Sequence, residues 1–298
     1  MAFPHFNYLE PKTLKEASIM LAEHEDKARL IAGGTDLLLR MQHRIVQPEF
    51  IISLSRIPDI DYIHSNHTEE VTIGAMARLA AVADHPCVLQ PFPALADAAG
   101  YTATVQIRNM GTVVGNICNA SPSADTATPL LVYDARIVIT HPGGERVMPL
   151  AEFFRGPGIT ALEPGEVVKE LILPAPAPHT GSDYQKLSGR SKVDIAAVGV
   201  SALISLDANG VIIKARIALG AVAPIPLRAQ RAEKILVGNV PSADLVNAAA
   251  KASADEASPI TDMRASQSYR KAMVQVLTKR ALENSVRLAS QKTTGEAR

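Results

Sequence analysis

Two cysteines, Cys87 and Cys118, are all the thiols in 298 residues, and tryptophan is absent. Two thiols build no disulfide framework and fit a reducing compartment. They are also too few for an iron-sulfur cluster, which takes four thiolates, or for a zinc site of the paired C-x-x-C kind. An excess of one charge is missing as well, since Lys plus Arg is 30 and Asp plus Glu is 30. Without a net field, neither nucleic acid nor an anionic membrane is an expected partner. Long hydrophobic runs are absent: the longest, such as Leu130–Tyr133 and Ile195–Val200, have strand length, so no membrane span is expected. The opening MAFPHFNYLEPKTLKEA lacks the basic start and apolar core of a secretory signal, which makes the cytoplasm the expected location.

Familiar signatures of chemistry are missing too. No G-x-x-x-x-G-K-[ST] occurs, which removes the phosphate-loop NTPases. GPGITA at Gly156–Ala161 imitates a dinucleotide fingerprint, but Pro157 lies inside it and LEPGE follows where a helix should start. His64 and His67 have metal-ligand spacing without a third ligand nearby, and they read as a solvated loop, so no metal is expected. No Ser-His-Asp or Cys-His arrangement stands out, and Asp194 and Glu152 have no marked partner. Any chemistry would then be brought by a cofactor.

What is present is ample core: 47% of residues are hydrophobic and 20% charged, and the length suits two domains. Thr13 with Glu16 three residues on starts a helix over about Leu14–Glu23. ARLIA is a short buried strand, DLLLRMQH a helix and EFIISLS a strand, so the chain opens as a small α/β lobe. EEVTIGAMARLAAVADHP reads as a strand running into a helix. Asn109–Pro129 is rich in small, polar and glycine residues and reads as loop. RIVIT, Gly143-Gly144 and ERVMPLAEFF make a hairpin-like return, and EVVKELILP is a strand before a proline-rich break. A domain boundary is expected there, giving 1–176, with lobes of about 1–58 and 59–176, and then 177–298. DIAAVGVSALISLDANGVIIKARIALGAV is two or three strands with a hairpin turn at Asn209-Gly210. Two amphipathic helices, SADLVNAAAKASADEA and SQSYRKAMVQVLTKRALENSVRLA, make the second part α+β, and QKTTGEAR is expected to fray.

Two stretches have the texture of a binding site. IAGGTDLLLRM, Ile31–Met41, ends an apolar strand at two glycines just before a helix. Glycine lets the backbone approach a ligand closely, and a helix start leaves amide donors unpaired, so Gly33, Gly34, Thr35 and Asp36 form a candidate pyrophosphate cradle, with Thr35 or Asp36 able to cap the helix. Taken alone, the stretch suits an empty strand-to-helix turn better, because Gly-Gly turns are common. GTVVGNICNASPSAD, Gly111–Asp125, adds Thr112, Asn116, Asn119, Ser121, Ser123 and Asp125 between apolar flanks. It is either a second ligand loop or a surface loop that satisfies its own backbone.

Taken together, the stretches resemble the FAD-binding medium subunit of molybdenum hydroxylases, the xanthine dehydrogenase and carbon monoxide dehydrogenase group. The further motifs FFRGPGITALEPGEVVKELILP, YQKLSGRSKVDIAAVGV, ALGAVAPIPLRAQRAE and DMRASQSYRKAMV follow in the same order over nearly the whole chain. The resemblance implies an α+β protein: a two-lobed α/β FAD domain of the vanillyl-alcohol-oxidase/molybdenum-hydroxylase type, then a C-terminal α+β domain. It implies that Ile31, Ala32, Gly33, Gly34, Thr35, Asp36 and Leu37 wrap the FAD pyrophosphate and ribose. Gly111, Thr112, Gly115 and Asn116 would supply the second loop, and Asp125 a further polar contact. Val168 would pack on the isoalloxazine, Lys186 would contact the flavin and favour its reduced anionic form, and Tyr184 would sit near its reactive edge. One departure is Val114, where the family often has a glycine. In DMRAS, Asp262 and Arg264 read as a structural ion pair at a helix start.

The implied function is that of an oxidoreductase subunit. It would take electrons from the [2Fe-2S] clusters of a small partner, in complex with a large molybdopterin subunit as a dimer of heterotrimers, and pass them to NAD or another acceptor. No cysteine-bearing insertion for a [4Fe-4S] cluster is visible, which speaks against the 4-hydroxybenzoyl-CoA reductase type. The alternatives are a stand-alone FAD-dependent oxidase or reductase, and a non-catalytic flavin-binding module.

Overall fold

The structure, a computed structural model, describes residues 3–293. Its first helix begins as the spacing predicts: Thr13 Oγ1 accepts from the Glu16 amide at 3.0 Å, and the Glu16 carboxylate reaches back to the Lys12 amide at 2.6 Å. This helix, α1 (Leu14–His24), joins β1 (Asn7–Leu9) to β2 (Ala28–Ile31), and α2 (Leu37–Gln42) joins β2 to β3 (Phe50–Ser53). The strands lie in the order β1-β3-β2 and both pairs are parallel, the arrangement that helical crossovers permit. Ala17, Ala28 and Ile52 form the buried centre of this small lobe.

The second lobe holds β4 (Ile63–Ser65) and β5 (Val71–Gly74), then six short helices: α3 (Leu79–Asp84), α4 (Pro86–Leu89), α5 (Pro93–Tyr101), α6 (Val105–Arg108), α7 (Val113–Cys118) and α8 (Ala127–Val132). The hairpin β6 (Arg136–His141) and β7 (Gly144–Pro149), the small pair β8 (Phe154–Gly156) and β9 (Ile159–Thr160), and β10 (Val167–Leu173) complete it. Its main sheet is antiparallel in the order β4-β5-β10-β6-β7, so the last strand in sequence lies in the middle. Asn109–Pro129, expected as loop, contains all of α7 and the start of α8. Thr112 caps α7 by accepting from the Gly115 amide at 2.9 Å, and Val113, Val114 and Ile117 are buried. Tertiary burial thus makes helix from residues whose local preference points to loop.

The C-terminal sheet is antiparallel in the order β11 (Thr180–Leu187), β12 (Val198–Leu206), β13 (Ile212–Gly220) and β14 (Leu227–Arg228). It is followed by α9 (Gln230–Leu236), α10 (Ala243–Glu256) and the long α11 (Gln267–Thr293). One face carries α11, which approaches so closely at Gly181 that a Cβ there would stand 2.1 Å from the Ser285 carbonyl oxygen. The other face meets the second lobe, where Ser201 Oγ donates to Thr128 Oγ1 at 2.9 Å. Covered on both sides, β12 is buried along its whole length, and its sequence VGVSALISL lacks the polar alternation of a half-exposed strand. The expected two-residue turn at Asn209-Gly210 is part of a longer loop, with Asp207 Oδ1 accepting from the amides of Asn209 and Val211 at 2.9 and 2.8 Å. Gln291–Thr293 of the expected frayed tail belong to α11, and the rest of that tail lies outside the described residues. The architecture is α+β, two α/β lobes and then a sheet with helices, as predicted.

Candidate functional site

The end of β2 and the start of α2 meet the segment before α7. Gly33 lies directly on the main chain of Met110 with no room for a side chain, and a Cβ on Gly111 would be 3.3 Å from Thr35 Oγ1. Gly34 has φ +71°, the left-handed conformation that glycine adopts without strain. The two glycine-bearing stretches are therefore one continuous surface. Among the described residues, no acceptor takes the amides of Gly33, Gly34, Thr35 or Asp36. Asp36 occupies the position before α2 but makes no capping bond with its side chain. Its Oδ1 instead accepts from Asn119 Nδ2 at 3.0 Å, tying the two stretches together. Burial pushes the Asp36 carboxyl above its ordinary value, with Arg40 pulling it back.

The second stretch presents side chains more than open amides. The Gly115 amide is taken by Thr112 Oγ1 and the Asn116 amide by the Thr112 carbonyl at 3.0 Å. Asn116 Oδ1 accepts from Thr126 Oγ1 at 2.7 Å, which fixes the orientation of that amide side chain. Further on, Asp125 has both oxygens engaged: Tyr184 OH donates to Oδ1 at 2.5 Å and Lys186 Nζ to Oδ2 at 2.8 Å. Burial raises the Asp125 carboxyl, against the opposing pull of Lys186 and the Tyr184 hydroxyl. The Tyr184 phenol is raised well above its ordinary range, first by burial and then by the Asp125 charge.

These stretches wall a cleft of about 530 Å³. Ile31 through Leu37, Gly111, Thr112, Gly115, Asn116, Asp125 and Val168 all line it, and so does Val114, the departure from the usual glycine. Tyr184 and Lys186 do not line it; they stand behind Asp125, with Lys186 Nζ also donating to the Tyr101 carbonyl at 3.1 Å. The wall also includes residues that sequence reasoning did not assign. Arg29 and Arg40 flank the glycine turn, and their sequence spacing around it was a readable sign of an anion site. Gly158, inside the discarded GPGITA, reaches the cleft because its amide donates to the Ala120 carbonyl at 3.0 Å, which no local pattern announces. Val193, Asp194 and Ile195 close the cleft from the C-terminal part. Asp194 does have a partner: the hydrogen bond from Arg190, at 3.1 Å, holds its carboxyl below the usual range. Burial pushes the Cys118 thiol up to about 12, so it is a neutral wall of the cleft and not a nucleophile.

The cleft wall combines a glycine cradle whose amides have no acceptor among the described residues, Arg29 and Arg40, the polar residues Thr112, Asn116 and Asp125, and aliphatic Val168. A cofactor with a diphosphate and an apolar ring system matches that set of surfaces. Among the described residues no cluster of three metal-ligating side chains occurs, and no helix is long and apolar enough to cross a membrane. Asp262 and Arg264 pair at 3.2 Å, as expected, and Asp262 also holds Arg270 at 2.6 Å.

Residues 4–176 match the family described as FAD binding domain in molybdopterin dehydrogenase, and residues 183–285 match the CO dehydrogenase flavoprotein C-terminal domain. The chain is 33% identical over 291 residues to the putative xanthine dehydrogenase FAD-binding subunit of Escherichia coli (strain K12), covering 97% of this chain and 99% of that one. It is 37% identical over 279 residues to the carbon monoxide dehydrogenase medium chain of Hydrogenophaga pseudoflava, covering 94% and 96%. A solved structure of carbon monoxide dehydrogenase from the same organism superposes with a TM-score of 0.93 at 36% identity, covering 97% of this chain and 99% of that chain. The glycine cradle, the cleft and the C-terminal sheet thus stand in a chain that belongs to the FAD-binding subunits of the xanthine and carbon monoxide dehydrogenase family, oxidoreductases with a molybdopterin partner and FAD as their own cofactor.

Proposed function

We propose that this cleft holds FAD and that the chain relays electrons from the [2Fe-2S] clusters of a small partner subunit to NAD or another acceptor. A large molybdopterin subunit would oxidise the substrate, the three chains assembling as a dimer of heterotrimers. The observation that carries the reading is the contact of the 33–36 turn with Met110 and Gly111 in the cleft wall, where the amides of Gly33, Gly34, Thr35 and Asp36 have no acceptor among the described residues. Those amides, with Arg29 and Arg40, would take the diphosphate, and Thr112, Asn116 and Asp125 the polar chain that follows. Val168, buried at the cleft wall, would pack on the isoalloxazine. When bound, FAD supplies the ability to accept and release electrons singly or in pairs, and the chain's own residues bind it, orient it and set its surroundings.

The division of labour is supported by composition, because two cysteines cannot ligate a cluster and the clusters must belong to another polypeptide. The relatives, a putative xanthine dehydrogenase FAD-binding subunit and a carbon monoxide dehydrogenase medium chain, support a molybdenum hydroxylase complex. Both cysteines are free, which supports a reducing, cytoplasmic setting. We also propose residues 1–176 and 177–298 as the two domains. The separate apolar core formed by the C-terminal sheet with its helices, around Val198, Ile217 and Leu282, supports this division.

Anaerobic titration tests the proposal. The purified chain is expected to be yellow, with its flavin reduced by an organic substrate only when both partner subunits are present. Full reduction of the isolated chain by that substrate would establish a stand-alone oxidase or reductase instead. A chain unable to take up FAD would sink the proposal.

A further inference from the structure

Arg270, eight residues after Asp262 in DMRASQSYR, lies in the first turn of α11 with its side chain only 4% exposed. Its guanidinium spans three acceptors. Nη2 donates to Asp262 Oδ1 at 2.6 Å, and Nη1 donates to the carbonyls of Ala221 and Ala197 at 2.8 and 3.2 Å. Asp262 is itself held by the amides of Arg264 and Ala265. Both carbonyls belong to chain that leads to the cleft. The Ala197 amide closes the loop after β11 by donating to the Leu187 carbonyl at 2.8 Å, and that loop carries the cleft residues Val193, Asp194 and Ile195. Ala221 has φ +63°, a left-handed conformation that a residue other than glycine keeps only with support. Its amide donates to the Pro122 carbonyl at 2.6 Å, between Ser121 and Ser123 of the cleft wall.

Resting on the FAD reading, we propose that Arg270 is a positioning residue of the cofactor cleft: absent from the wall itself, it sets the 193–195 segment through Ala197 and the 121–123 segment through Ala221. A planar guanidinium suits this role, because its rigid fork fixes several acceptors at once and an ammonium does not. Stability alone explains the arrangement poorly. Arg270 Nε is buried with no partner among the described residues, and a buried ion pair is often no more stabilising than apolar side chains of similar volume. The competing account is that Arg270 only fastens the start of α11 to the C-terminal sheet. In that case any loss of cofactor affinity would simply follow a loss of stability.

The test uses the full chain freed of cofactor. It compares the Tm and hydrogen exchange of the apoprotein, the affinity for FAD by fluorescence titration, and the visible spectrum of the bound flavin, the last three well below the lowest Tm. Arg270→Met/Asp262→Asn removes both charges and keeps an acceptor for the Arg264 amide. Arg270→Lys keeps the charge beside Asp262 without the fork. Leu282→Ala truncates a fully buried side chain farther along α11 and is expected to lower the Tm while leaving the Arg270 contacts in place. Both Arg270 variants are expected to exchange faster at residues 119–125 and 188–197 and to show an altered flavin spectrum. Their FAD affinity is expected to fall about five-fold or more, the order of one net hydrogen bond. Leu282→Ala is expected to keep wild-type affinity and spectrum in spite of its lower Tm.

Three results would each overturn the inference and leave the FAD reading standing: wild-type affinity and spectrum in either Arg270 variant, faster exchange confined to residues 262–270, or an affinity loss in Leu282→Ala equal to that of the Arg270 variants. Wild-type chain that binds no FAD would overturn that reading and the inference with it.

Discussion

A Cβ built on Gly33 would stand 2.0 Å from the carbonyl oxygen of Met110 and 2.6 Å from its carbonyl carbon. Both atoms belong to main chain and cannot rotate away, so even the smallest side chain at residue 33 drives the two walls of the cradle apart. Gly33→Ala is expected to lower the affinity for FAD at least ten-fold and to cost about 1–3 kcal/mol of stability, the usual range for overpacking. Fluorescence titration with FAD and urea denaturation check the two parts. An alanine variant with wild-type affinity would show that the cradle is not where the diphosphate binds.

The cap of α7 offers a gentler perturbation. Thr112 Oγ1 satisfies the Gly115 amide, and Thr112 is itself only 3% exposed. Thr112→Val keeps the shape and removes the acceptor, and is expected to cost about 1 kcal/mol, whereas Thr112→Ser retains the hydroxyl and most of the stability. Equilibrium unfolding of the two variants, compared with wild type, checks the order.

Local features of this chain were legible where the signal was local. Thr13 and Glu16 announced α1, and the glycine pair between ARLI and LLLRMQ announced the strand-to-helix turn. The helices α6, α7 and α8 were not legible, because four to six residues span barely more than one turn and show no period. Their stability comes from burial of residues such as Val113, Ile117 and Leu130, which only the folded lobe provides. The site divides in the same way. The cleft residues of 31–37 and 111–116 stood out by composition. The grip on Asp125 did not, since its partners lie 59 and 61 residues away on a strand of another sheet. Tyr184 and Lys186 were singled out through family resemblance, but their place behind the carboxylate follows only from the packing of β11 on the second lobe.

The same junction carries a charge network that holds the C-terminal sheet to the second lobe. Arg228 donates from Nη2 to Glu233 Oε2 at 2.7 Å and from Nη1 to Asp134 Oδ1 at 3.0 Å. Glu233, 6% exposed, also accepts from the Ile217 amide at 2.9 Å. Arg228→Met would leave the Glu233 carboxylate buried without a cation, and is expected to cost about 3–5 kcal/mol. Arg228→Met/Glu233→Gln keeps an acceptor for Ile217 and removes the stranded charge, so it is expected to regain much of the loss. Denaturant midpoints of the single and double variants decide this; equal losses would mean that the cost comes from the other contacts of Arg228, to Asp134 and the Leu131 carbonyl, and not from the stranded Glu233 charge.

Asp262 sets a dependence on acid. The hydrogen bond from the Arg264 amide, together with those from Arg270 and the Ala265 amide, holds its carboxyl at about 2, below the ordinary carboxylate value. A carboxylate more acidic in the folded than in the unfolded chain adds stability above its unfolded value, about 4, and loses that stability as pH falls through its folded value. Arg270 also donates to the carbonyls of Ala197 and Ala221 at 3.2 and 2.8 Å, so protonating Asp262 loosens the anchor of the turn that follows β13. Asp262→Asn is therefore expected to be less stable than wild type at neutral pH, with the gap closing between about pH 4 and pH 2. Urea midpoints of both proteins across that range measure the gap. A difference that stays constant down to the lowest pH would show that the Asp262 charge adds nothing to the stability of the fold.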